Sequence, residues 1–230
     1  MASSALLELR EQRIPEVRSL LALRPTRQLS DASAVRGADA VNRASVVVLT
    51  AHLEGYVEDL VSDVVDELNR KQPVTADIPL VLLAEHVTKE LDTIADMQDR
   101  DKRAHRVATL FRGQSMLWLD PHLSRGALDA NAITAGLSNP GAKEIGRVFG
   151  LLGMTSVFSS IELSDGADPE KRVNELVGIR NAIAHGGRPS VMDQQVDEYV
   201  SSVDAVGEGL ERAAAAQVRA ICRTAGLPWS

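Results

Sequence analysis

Cysteine is nearly absent from this chain: Cys222 is the only one in 230 residues. An internal disulfide and a cysteine-based zinc site are therefore excluded, and a reducing compartment is the simplest setting. Aromatic residues make up 3% of the sequence, so a core has to be assembled from Val, Leu, Ile and Ala. No apolar run approaches the ~18 residues that a membrane-spanning helix requires. The segment Met1 to Arg13 is broken by Glu8, Arg10, Glu11 and Arg13, which leaves no apolar region for a signal peptide. No Asn-x-Ser/Thr sequon occurs. Together these absences point to a cytoplasmic protein with no membrane partner. An excess of positive charge is missing too. The formal net charge is −7, whereas proteins that hold nucleic acid by bulk charge are usually basic. Any contact with RNA has to run through a local site.

What the sequence does contain is helical punctuation. Val46, Leu49, Leu53, Val57, Leu60, Val64 and Leu68 recur at steps of three and four, which predicts a long helix from about Ala32 to Lys71, stopped by Pro73. A shorter helix from about Ser3 to Leu23 precedes it, with Pro15 set to kink or split it. Residues 1–30 are expected to form an arm and 31–225 the main domain. Asp77 is placed to cap a helix carrying Leu80, Leu83 and Val87, with helical character continuing to Leu110 and closing at Arg112-Gly113. From Asp120 to Asn139 the pattern is loop with short helices, and Asn139-Pro140-Gly141 is a turn. A helix from about Ala142 to Leu152 follows, ended by Gly153.

The last third is the best marked. Asp168-Pro169-Glu170 sets a cap and a proline in the first turn. The helix it opens carries Val173, Leu176, Val177 and Ile183, and Gly186-Gly187 can close it. Ser190 to Asp193 has capping-box spacing. The final helix is expected to reach about Cys222 and to end at Gly226 and Pro228. No stretch alternates as a strand does. The fold class is all-α: a bundle of long antiparallel helices with short connecting helices.

Most familiar chemical motifs are missing. No phosphate-binding glycine loop, nucleophile elbow or H-E-x-x-H pattern is present. The five histidines do not pair at metal-ligand spacing, so neither a metal nor another cofactor is expected. The strongest local basic cluster is Arg100, Lys102, Arg103, His105, Arg106 and Arg112. It could line a phosphate-contacting surface, but the interleaved Asp96, Asp99 and Asp101 favour a solvated, balanced face. The spacing R-x-x-x-x-H occurs twice, at Arg100/His105 and Arg180/His185, so the spacing decides nothing by itself. Context separates the two copies. Asn181 and His185 stack on one helical face, with Arg180 beside it. The histidine sits in a last turn, before two glycines that leave room for another backbone. A structural histidine at a helix end accounts for the same residues.

Arg180-Asn181-Ala182-Ile183-Ala184-His185-Gly186 resembles the R-x-x-x-x-H motif of the HEPN superfamily in its R-N-x-x-x-H-G form. Ala44 to Val57, an apolar run leading into Glu54-Gly55-Tyr56, is similar to the first core helix of the RiboL-PSP-HEPN group. Leu137-Ser138-Asn139-Pro140 with Ile145, Val148-Phe149 and Leu152-Gly153-Met154 looks like that group's Asn-Pro turn and following helix. The resemblance implies a homodimer in which two Arg180–His185 helices form a composite cleft, and a metal-independent endoribonuclease activity on RNA. On that reading Arg180, Asn181 and His185 are catalytic, with Glu54 carried over by its place in the first-helix motif. Arg103, Arg106 and Arg188 would be the RNA-binding residues. Such proteins serve in toxin, antiphage or RNA-processing systems, sometimes with an antitoxin or other partner protein. The alternative implied is a non-catalytic HEPN module that binds a protein, nucleotide or nucleic acid, which the acidic balance suits.

Overall fold

The computed structural model describes residues 2–27, 30–225 and 228–229; Gly226, expected to help end the last helix, lies outside them. The chain is all-α, and among the described residues the only extended pairing is the isolated bridge between Val74 and His122.

The longest helix, α3, spans Ala32–Lys71. Asp31 caps it by accepting from the Ser33 and Ala34 amides, and Gln72 ends it in the left-handed region one residue before Pro73. All seven stripe positions from Val46 to Leu68 are buried. Tyr56, Val61 and Val65 are buried as well, because α3 is covered from more than one side. Its main partner is α10, Asp193–Cys222, closed at Arg223 in the left-handed region.

The two helices run in the same direction. The Asn42 amide donates to Asp193 Oδ1 at 2.8 Å, and the Tyr56 hydroxyl donates to the Gly207 carbonyl at 2.6 Å. Both pairs have the same sequence offset, 151, as parallel helices require. The expected antiparallel packing thus does not apply to this central pair. The long connection through the middle of the chain lets α10 return in parallel.

The N-terminal run lies antiparallel to both, in the groove they form. It consists of α1 (Ser4–Glu8), a π turn (Leu9–Arg13) and α2 (Ile14–Ala22). Ser4 bonds Asp63 of α3, and Arg24, just after α2, bonds Asn42. Ser3 bonds the buried Glu211 of α10, and Arg10 pairs with Asp204 and Glu208. Pro15 therefore neither splits nor ends the run. A proline nitrogen cannot donate, and its ring would clash with the carbonyl four residues back in a regular turn. The wider π turn ahead of it, closed by the Ile14 amide on the Leu9 carbonyl, lets the helix continue. Leu6, Leu9, Val17 and Leu21 join the same apolar core as α3 and α10.

The middle of the chain is α4 (Leu80–Asp96), α5 (Arg100–Gln114), α6 (Met116–Leu119) and α7 (Ala130–Thr134). Two local expectations change here. Asp77 does not cap α4, whose first turn follows Pro79; it sits in a 3-10 turn and pairs with Arg223 at 2.5 Å. Gly113 does not close a helix but lies inside α5. Then come α8 (Ala142–Leu151) and α9 (Pro169–Ala184). The capping box at Ser190 does not form, because α10 begins only at Asp193. That carboxylate is held instead by Arg24, Arg27 and Asn42.

Candidate functional site

The site is built at the end of α9. Asp168 opens this helix by accepting from the Lys171 amide at 3.1 Å, and Pro169 takes the first position. Buried Val173, Leu176 and Val177 fix one face against the core. Arg172 ties the start of the helix to its surroundings. It pairs with Asp165 and, at 3.5 Å, with Glu198 of α10, and lies 5.6 Å over the Tyr199 ring.

At the other end the chain turns through a paired cap. The Gly186 amide donates to the Ile183 carbonyl at 3.0 Å and the Gly187 amide to the Ala182 carbonyl at 2.9 Å. Gly186 has φ +83°, where an ordinary side chain is strained. The cap leaves His185, the residue just past the last helical one, exposed, with Arg180 and Asn181 half-buried. Arg180 Nη1 donates to Asn181 Oδ1 at 3.2 Å, which aims the guanidinium along the Asn181 face. Among the described residues Arg180 has no carboxylate partner and His185 has no side-chain hydrogen bond. A half-buried cation and an exposed imidazole thus lie five residues apart at this end of the helix, with bonding capacity left for a ligand. An anionic oxygen suits the guanidinium, which can bond two oxygens at once.

A second layer supports this face. Asn174, seven residues before Asn181 and so on the same face of α9, accepts from the Ala142 amide at 2.9 Å and caps α8. On the other side of that turn, Glu54 of α3 accepts from the Asn139 amide at 3.2 Å. Asn139 has φ +48°. The Asn139-Pro140 turn is therefore held between α3 and α9, with one Glu54 carboxylate oxygen engaged in holding it. Glu54 makes no hydrogen bond to Arg180 or His185. Asn174 was missed from the sequence, although its spacing of seven from Asn181 was there to be read.

The other candidate residues are placed elsewhere. Arg103 donates to the Met97 carbonyl, and Arg106 pairs with Glu90; both guanidiniums are occupied within the α4–α5 hairpin. Arg188 is exposed just beyond the α9 cap and has no ion-pair partner among the described residues. Arg100 and His105, the second copy of the spacing, lie on α5, which buries none of its side chains. His86 is structural: Nδ1 bonds the Leu82 carbonyl at 2.8 Å and Nε2 accepts from the Asp129 amide at 2.8 Å. Among the described residues no group of three or more His, Cys, Asp or Glu side chains could hold a metal. No described helix is long and apolar enough to cross a membrane.

Fold and site define an all-α protein with an R-x-x-x-x-H segment displayed at a capped helix end, behind a braced Asn-Pro turn. The RiboL-PSP-HEPN family model matches residues 10–216, and the chain belongs to that family. No curated protein and no solved structure matches it.

Proposed function

We propose that the protein is a metal-independent endoribonuclease that works as a homodimer. The observation that carries this reading is that, at the end of α9, Arg180 has no carboxylate partner and His185 no side-chain hydrogen bond among the described residues. In the proposed reaction a ribose 2′-OH attacks the adjacent phosphate. One histidine accepts the hydroxyl proton, and the His185 of the second protomer delivers a proton to the departing 5′ oxygen. Arg180 holds the non-bridging phosphate oxygens as charge builds on them, and Asn181 orients the guanidinium. Gly178 and Ala182, both exposed, leave the outer face of α9 low enough for a second α9 to approach, which supports the two-fold arrangement. Arg188, next to the cap, is the remaining cation available to the strand. Arg103 and Arg106 would have to give up their present partners to bind it.

A role in a toxin, antiphage or RNA-processing system, with or without a partner protein, belongs to the same proposal, as does a cytoplasmic setting. The test is cleavage of RNA in EDTA. Products should carry 2′,3′-cyclic phosphate ends, and His185→Ala and Arg180→Ala should each abolish them. Full cleavage by both variants would end the catalytic reading. Wild-type protein inert on varied RNAs but isolated with a defined partner would favour a non-catalytic binding module, which the net charge of −7 suits.

A further inference from the structure

The α4–α5 hairpin stands apart from the rest of the molecule in one respect: it is unfinished. Most of the large apolar side chains left in solvent among the described residues are on it or at its base. Phe111 is 71% exposed and Leu119 79%, joined by Leu80, Val81, Leu91 and Trp118. Four of these line a cavity of about 440 Å³ between α4 and the α5–α6 segment, together with Val87 and Leu110. A contiguous apolar surface of this kind marks a docking site.

The charges say what docks. On α4, Glu85, Glu90, Asp92 and Asp96 stand against a single lysine, Lys89; on α5, Arg100, Lys102, Arg103, Arg106 and Arg112 stand against a single acid, Asp101. Only Glu90 and Arg106 are paired across the hairpin. That pair fixes which residues are level in the two antiparallel arms. Glu85 is level with the Phe111–Arg112 step, and Asp96 with Arg100. Glu85, Asp92 and Asp96 lie on one edge of α4, beyond the exposed Leu91 stripe, and have no partner among the described residues.

We propose that this face binds a second copy of the chain, hairpin against hairpin, about a two-fold axis running along the hairpin. That axis lays α4 of each copy over α5 of the other without changing level. The acidic edge then meets cations at matching heights, Glu85 with Arg112 and Asp96 with Arg100 of the other copy, each pair occurring twice. The apolar strips close on each other between them. The contact is separate from the α9 pairing of the proposed nuclease and does not depend on it.

The experiment is light scattering on the full chain during size-exclusion chromatography. Phe111→Glu, at a side chain already in solvent, should halve the mass of the wild-type assembly and leave the helical content of the chain unchanged, with the melt falling only by the stabilisation that association supplied. Glu85→Arg and Arg112→Glu should each weaken self-association by roughly tenfold, since each change acts twice across the axis. The double variant should recover it. A wild-type protein that stays a single chain at high concentration, or a mass indifferent to Phe111→Glu, overturns the proposal. Halving by Phe111→Glu without recovery in the double variant overturns the two-fold arrangement. RNA cleavage is the independent readout: wild-type protein that self-associates as stated but cleaves no RNA counts against the nuclease reading alone.

Discussion

Gly186 and Gly187 close α9 for two different reasons, and that difference is the most direct test of how the site is held. Gly186 has φ +83° but nothing within 4 Å of where a Cβ would sit. Gly187 has no such backbone requirement, yet a Cβ there would come 2.7 Å from the Ala182 carbonyl oxygen. The atom it meets is backbone and cannot swing away. Relief requires opening the Gly187–Ala182 hydrogen bond, which is 2.9 Å long. Losing that bond and the turn that depends on it costs about 1–2 kcal/mol. For a chain of this size that is a fall of roughly 2–8 °C in melting temperature. Gly187→Ala and Gly187→Asn should therefore behave alike. Gly186→Asn should cost much less, because asparagine tolerates the left-handed region. Thermal melts give the order, and amide exchange at Gly186 and Gly187 locates the change. Gly187→Ala with a wild-type melt and unchanged exchange would refute the close-approach argument. So would Gly186→Asn proving the worse of the two.

Two further changes probe the supports behind the site. At Asp193, burial pushes the carboxyl up, but hydrogen bonds from Asn42 and Arg27 and the charges of Arg24 and Arg27 hold it below the usual aspartate range. Its contribution to stability is thus present above the ordinary value and lost as pH falls through the lowered one. Asp193→Asn should cost about 1 kcal/mol at neutral pH, discounted because the carboxylate is 40% exposed; in urea melts that gap should close under acid conditions, and a gap independent of pH would refute the assignment. Glu54→Gln keeps an oxygen able to accept from the Asn139 amide, so a positioning residue predicts near-normal RNA cleavage, with Glu54→Ala losing both the turn and activity. Loss of activity in Glu54→Gln with an unchanged melt would instead give that carboxylate a chemical role.

The helices that could be read directly are those whose signals are local. For α3, the seven apolar positions lie within the segment and Pro73 just beyond it, and its bounds of 32 and 71 are those expected. α9 is similar, with Asp168-Pro169 at one end and the glycines at the other. The misread positions are those where a distant partner takes the decisive atom. Asp77 and Asp193 both have capping chemistry, but Arg223 claims the first and the Arg24–Arg27–Asn42 group the second. Neither competition is visible within a few residues. The direction of α10 relative to α3 is hidden for a related reason: it depends on the path of the whole chain between them. The π turn before Pro15 shows a local rule satisfied by a geometry that the sequence pattern does not distinguish from a kink.

The site separates in the same way. Arg100/His105 and Arg180/His185 have identical spacing; Arg100, His105 and His185 are exposed and Arg180 is half-buried. What differs is the ground on which they stand. α5 has no fully buried side chain, and its side-chain ties run to α4 and the turn after it, Arg106 to Glu90 and Arg103 to the Met97 carbonyl, rather than to the core. α9 is pinned by Val173, Leu176 and Val177, by Arg172 at its start and by the glycine cap at its end. Holding reacting groups in place is a large part of what a catalytic site supplies, and only the second pair is held. The burial that makes α9 rigid was legible as apolar periodicity. The clamp through Arg172 and the bracing of the Asn139-Pro140 turn by Glu54 and Asn174 were not, since each joins residues far apart in the chain. The Arg180–His185 segment is thus a candidate site because of residues outside the motif, and substitutions at Asn174 or Arg172 should disturb it without touching either end.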